Sequence, residues 1–224
     1  MNGAILPRTS QPAVGDFVDV YRKLAEQGHE IVSVHISDKL SGTMNSARLA
    51  SADVSEAQVA IVDSGTSSLA LGLVVKVAAE AAKAGKSYEE VTAIVQDAVE
   101  KTTVFFVLDT LEYLQKGGRM GKAAALLGGL LSIKPILTVV DGEIHPYEKV
   151  RTSAKAVAKI TEIVHKNGPY AEVAIIHDAG GEEVETLLKQ LEPLSDRSVI
   201  NGKIGAVIGV YSGPGVIGVA LRKA

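Results

Sequence analysis

The sequence predicts an α/β protein in two domains. An N-terminal α/β domain with a mostly parallel sheet is expected over residues 1–100, and a C-terminal α+β domain with an antiparallel sheet over 101–224. Three observations carry this. Strand-like and helix-like segments alternate through the first hundred residues, the rhythm of a parallel sheet with covering helices. After residue 101 strand-like segments dominate. Between two of them stands Asp141-Gly142, the chemistry of a tight hairpin and so of antiparallel pairing.

Taken in order, Phe17, Val18, Val20, Tyr21 and Leu24 recur at helical spacing over Gly15–Gln27, and Gly28 ends that helix. The β-branched run between Glu30 and Ser37 reads as a buried strand, 45–51 as a helix, and Val59–Asp63 as a second strand. Leu69–Ala84 is Ala-rich and stops at Gly85. Ser87 with Glu90 spells a capping box for a helix reaching Lys101. Later strands are expected at 103–108, 135–140, 143–150, 172–177, 198–210 and 216–221, with helices at 154–166 and 182–191.

Composition narrows the function classes. The 224 residues are 46% hydrophobic and 22% charged, with formal charge −3, which opposes a general nucleic-acid binder. With no cysteine there is no disulfide, thiolate nucleophile or Cys-ligated metal, and a reducing cytoplasm is the expected setting. Met1–Pro12 shows no signal peptide. The apolar run Ala123–Leu131 is far below the ~20 residues that span a bilayer, so no stable membrane insertion is expected.

Four stretches could bear chemistry. Thr9-Ser10-Gln11-Pro12 precedes the first helix, and its hydroxyls serve either as caps or as donors to an oxyanion. Ser37–Thr43 joins a strand to a helix, the place where α/β sheets bind ligands. There Ser41, Thr43 and the backbone at Gly42 could receive an anion, or simply cap the helix. Lys116–Lys122 sets Lys116, Arg119 and Lys122 among three glycines without the residues of a Walker A loop. It reads as a solvated loop or as a phosphate or partner contact that Arg151 could join. We expect it to face an anionic partner and not to form the wall of a ligand pocket.

Gly213–Gly218 spells GxGxxG, yet too little chain follows for a helix, so a turn into a last strand is expected. Ser41 with His35 and Asp38 offers the residue types of a serine acyl hydrolase or transferase without a GxSxG elbow. The five histidines lack metal-site spacing, and no metal or cofactor is expected. Asp109 and Glu112 read as caps of a following helix in preference to an acid–base pair.

These stretches together resemble the DegV family. TSQP at 9–12, HISDKLSGTMNSA at 35–47, the block from Leu108 to Thr152 and GPG at 213–215 match its motifs over nearly the whole chain. The resemblance implies a long-chain fatty acid held between two domains, not chemically transformed, and presented to a fatty-acid kinase. It implies that Thr9, Ser10, Ser41 and the backbone of Gly42 hold the carboxylate, and that Arg119 and Arg151 meet headgroup or partner. Where the family often has a histidine two positions before GPG, this chain has Tyr211, a phenol that donates without becoming cationic near neutral pH. The family's first strand, ending in Asp-Ser, has no counterpart here, so the N-terminal sheet is expected to be one strand short.

Overall fold

The computed structural model describes residues 6–127 and 133–224. The first five residues and the last part of the apolar run at 123–131 lie outside the described residues. Two sheets organise the chain. β1 (Ile31–His35) and β2 (Val59–Asp63) pair in parallel as a two-stranded sheet. On one side lie α1 (Val14–Glu26) and α2 (Thr43–Asp53), whose Tyr21, Ala47 and Ala50 pack with Ile31. On the other lie α3 (Ser68–Lys83) and α4 (Tyr88–Glu100), burying Val74, Val91 and Val95 against Val62. The capping box forms: Glu90 N–H donates to Ser87 Oγ at 3.2 Å, and Ser87 N–H to Glu90 Oε2 at 2.9 Å.

The second sheet has six strands in the order β5-β4-β3-β8-β6-β7. These are β3 (Thr102–Val107), β4 (Lys134–Val140), β5 (Glu143–Val150), β6 (Glu172–His177), β7 (Ile200–Lys203) and β8 (Ile217–Arg222). The β4–β5 hairpin turns at Asp141 and Gly142, both with positive φ (50° and 78°), as a two-residue primed turn demands. The sheet is mixed, which corrects the expectation of an antiparallel one. β6 and β7 run parallel because the helix between them, α7 (Glu182–Leu191), returns the chain to the same end of the sheet.

Alternation along the strands divides the two faces. Phe105 and Val107 of β3 and Val219 and Leu221 of β8 point into the main core, under α6 (Ser153–Asn167) and α7. Val104, Phe106 and Ala220 point to the opposite face, where Ala70 and Leu73 of α3 pack. Thus α3 belongs to both sheets, lying on the parallel pair with one side and on the six-stranded sheet with the other. That second face also receives α5 (Glu112–Gly117), a 3₁₀ turn at Gly121–Leu126, and α8 (Ala206–Ser212).

Two further expectations are corrected. The β-branched run 198–210 is not one strand: β7 stops at Lys203 and α8 begins at Ala206. Gly209, Val210 and Ser212 are the buried residues of α8, and that packing outweighs the strand preference of Val207, Ile208 and Val210. Asp109 does not cap α5. Its carboxylate pairs with Lys134, while Thr110 Oγ1 accepts from Glu112 N–H at 3.1 Å.

Candidate functional site

Between the second face of the six-stranded sheet and the loops at one end of the parallel pair lies a cavity of about 400 Å³, inside the range of small-molecule sites. Its floor is apolar because every second residue of β3 faces it: Val104, Phe106, then Leu108 just beyond the strand. Val139 and Ile144 enter from the β4–β5 hairpin, Ile176 from β6, and Ile204 and Ile208 from β7's end and α8. Gly218 pairs with Phe106 on the neighbouring strand, and a Cβ there would come 2.9 Å from that of Phe106.

Three segments give much of the polar lining, which Gln11, Arg119, Tyr211 and Ser212 complete. Thr9 and Ser10 precede α1, Ser41, Gly42 and Thr43 open α2, and Ser67 and Ser68 open α3. Ser41 Oγ lies 2.8 Å from Thr43 Oγ1 and accepts from Thr43 N–H at 3.3 Å. Gly42 has little room for a side chain: a Cβ would meet the Gln11 amide at 3.2 Å. Thr9 Oγ1 is hydrogen-bonded to the Tyr211 phenol, and the Arg119 guanidinium lies 4.8 Å from the Tyr211 ring centroid. Arg119 Nε also donates to Leu40 O at 3.1 Å, and its Nη1 to Gly117 O at 2.6 Å. One linked group therefore joins the TSQP segment, the Ser41 loop, α5 and α8. Ser10, Gly42 and Val207 are exposed members of the lining and mark the side open to solvent.

Every residue expected at a carboxylate, namely Thr9, Ser10, Ser41, Gly42 and Tyr211, lines this cavity. Arg119 lines it too, which corrects the expectation that the basic loop stays out of the pocket wall. The cause is its pair of backbone-carbonyl acceptors and the Tyr211 face, which together hold the guanidinium inward. Lys122 and Arg151 are exposed and outside the lining; Lys122 Nζ lies 3.9 Å from Glu143. Ser67 and Ser68 were missed, although they follow β2 as the Ser41 loop follows β1, so the same strand-end rule identifies them. Ser68 holds φ of 55°, a conformation costly for any residue but glycine.

Among the described residues Ser41 makes no hydrogen bond to a histidine; its hydroxyl pairs with Thr43. His35 Nε2 lies 2.8 Å from Ser33 Oγ, which lies 2.8 Å from the Tyr21 hydroxyl, and its ring stands edge-on to Phe17. The triad-like residues 35, 38 and 41 are thus not assembled. Burial pushes the His35 pKa below its ordinary 6.5, and Asp63 opposes this more weakly. A depressed histidine stays neutral in the fold while the unfolded chain takes up a proton. The free energy of unfolding should therefore fall as pH drops from 7 towards 5, above the main carboxylate range. Urea unfolding should show a shallower pH slope in His35→Gln; an unchanged slope would assign it to other groups.

The DegV family, described as uncharacterised proteins, matches this chain over residues 1–224. A DegV domain-containing protein of Clostridium perfringens is 40% identical, over 97% of this chain and 80% of that protein. A fatty-acid-binding DegV family protein from Thermus thermophilus superposes with TM-score 0.93 at 34% identity, covering 99% of this chain and 81% of that one. A stearic-acid-binding protein from Eubacterium ventriosum gives TM-score 0.87 at 28% identity, covering 99% and 80%. No helix among the described residues is long and apolar enough to cross a membrane. On a match of this length and identity, the chain belongs to the DegV family.

Proposed function

We propose that the cavity holds one long-chain fatty acid and that the protein presents it to a fatty-acid kinase without transforming it. The observation that carries this is a cavity that combines an apolar strand floor with a hydroxyl-rich polar lining. The carboxylate would be held by Thr9, Ser10, Ser41, the Gly42 backbone and Tyr211, with Arg119 beside them. The first turn of α2 adds the positive end of a helix. Relatives of known structure that bind fatty acids support the ligand class. On this reading the units are 1–100 and 101–224, with the ligand between them. The kinase rests on the family resemblance and on the exposure of Lys122 and Arg151.

The energetics are adequate. Burying ~14 methylenes at ~0.8 kcal/mol each gives roughly 11 kcal/mol gross. Association takes back several, which leaves micromolar or tighter binding within reach.

Titration of the delipidated protein with palmitate or oleate tests the reading, and no saturable binding below about 100 μM would refute it. Ser41→Ala and Thr9→Ala should each weaken binding by about 1–3 kcal/mol with the fold retained, the cost of a lost hydrogen bond to a charged group. Lys122→Ala and Arg151→Ala should leave affinity within a few-fold while slowing acyl-phosphate formation by an added fatty-acid kinase. Hydroxyl variants that bind like the parent but melt lower would reduce Thr9 and Ser41 to helix caps.

A further inference from the structure

We propose that Ser37, which does not line the cavity, is the positioning residue that holds the carboxylate-binding loop in register with the acyl wall. The proposal rests on the fatty-acid reading above. Ser37 is fully buried at the end of β1, and each of its polar groups ties down a different part of the site. Its carbonyl accepts from Leu40 N–H at 3.0 Å and Ser41 N–H at 3.1 Å, closing the turn that presents Ser41 and Gly42. Its own N–H donates to Thr66 O at 2.9 Å, fixing the loop that carries Ser67 and Ser68. Its hydroxyl donates to Gly142 O at 2.9 Å and accepts from Lys39 N–H at 3.2 Å.

The hydroxyl bond is the informative one, because Gly142 belongs to the tip of the β4–β5 hairpin that sends Val139 and Ile144 into the wall. The two surfaces fit closely. A Cβ at Gly142 would stand 2.4 Å from Ser37 Oγ, so the turn needs glycine for its contact as well as for its φ of 78°. Removing the hydroxyl keeps the loop's two backbone bonds from Leu40 and Ser41, loses the weaker one from Lys39 N–H and cuts the tie to the hairpin. A hydrogen bond to a carboxylate weakens steeply with small changes of distance and angle, whereas apolar contact is non-directional and tolerates them. Loss of the tie should therefore fall on the headgroup and spare the chain.

The test compares palmitate with hexadecanol, which keeps the chain and lacks the carboxylate, on the full protein and on Ser37→Ala. Palmitate affinity should fall about tenfold and hexadecanol affinity should stay within about twofold. Equal losses for both ligands, or no loss for palmitate, overturn the positioning role. Saturable palmitate binding by the parent keeps the two questions apart: without it the fatty-acid reading itself falls, and this role with it. If the alanine variant folds poorly, Ser37→Cys fills the site with a slightly larger side chain and a weaker donor, and should show the same acid-specific loss. Gly142→Ala should cost more palmitate affinity in the parent than in the Ser37→Ala background, where the atom it would strike is gone. Simple additivity would refute the contact.

Discussion

Ile204→Trp should reduce palmitate affinity roughly 200-fold while leaving the protein folded. Ile204 lies between the end of β7 and α8, half-buried, packed against both apolar clusters that border the cavity, and part of its lining. An indole directed into open cavity space meets little of the resistance that overpacks a filled core, where added methylenes cost about 1–3 kcal/mol. It does displace ligand. If it takes the room of roughly four methylenes, at ~0.8 kcal/mol each, the loss is about 3 kcal/mol. Ile204→Phe should fall between variant and parent, near tenfold. Shorter acids should recover affinity relative to palmitate in the tryptophan variant, because they no longer need the filled space. Isothermal titration across a series of chain lengths measures this; a uniform loss at every length would mean that Ile204 acts on the fold and not on the room for the chain.

Most of the architecture was legible because local chemistry and the fold agreed. Val59–Asp63, 143–150, 172–177 and 182–191 form as their patterns read, and Asp141-Gly142 turns as that dipeptide should. The misread stretch, 198–210, is one where they disagree. Ala206–Ser212 carries β-branched residues in a helix, held by packing that links it to segments far away in sequence. The candidate site divides in the same way. Thr9, Ser10, Ser41 and Gly42 sit in local motifs, so their placement was foreseeable. Arg119 was not: its inward orientation depends on Leu40, 79 positions away, and on the Tyr211 ring. The apolar floor was hidden for a different reason. Val104, Phe106 and Ile176 read as ordinary strand core, and nothing in a strand pattern says whether the opposing space is filled or left open.

Glu172→Ala should destabilise the protein by about 2–4 kcal/mol, which for a chain this long lowers Tm by roughly 6–12 °C. Glu172 begins β6 and is 2% exposed, yet its carboxylate meets three cations: Arg222 Nε of β8 at 3.0 Å, Arg197 Nη1 at 3.4 Å, and Lys76 of α3. Glu80 on the next turn of α3 completes the group through Arg197 at 2.6 Å and Lys76 at 3.0 Å. Arg197 first, and Lys76 after it, hold the exposed Glu80 carboxyl down at about 2. Removing Glu172 does not affect the three cations equally. Arg197 is half-exposed and Lys76 a third exposed, and both keep Glu80 or water as partners. Arg222, at 14%, loses its carboxylate in a place water reaches poorly, and a buried charge left unpaired is the costly outcome. Glu172→Gln should cost less, since its amide oxygen still accepts from Arg222. The consequence for function follows from α3, which Lys76 ties to the six-stranded sheet and whose first residue, Ser68, lines the cavity. A ligand that binds only the folded state should restore part of the lost Tm, rising with the logarithm of its concentration once that exceeds Kd. Thermal unfolding of Glu172→Ala with and without palmitate checks both statements. A Tm within about 2 °C of the parent would show the cluster to be no more than a surface ion-pair network.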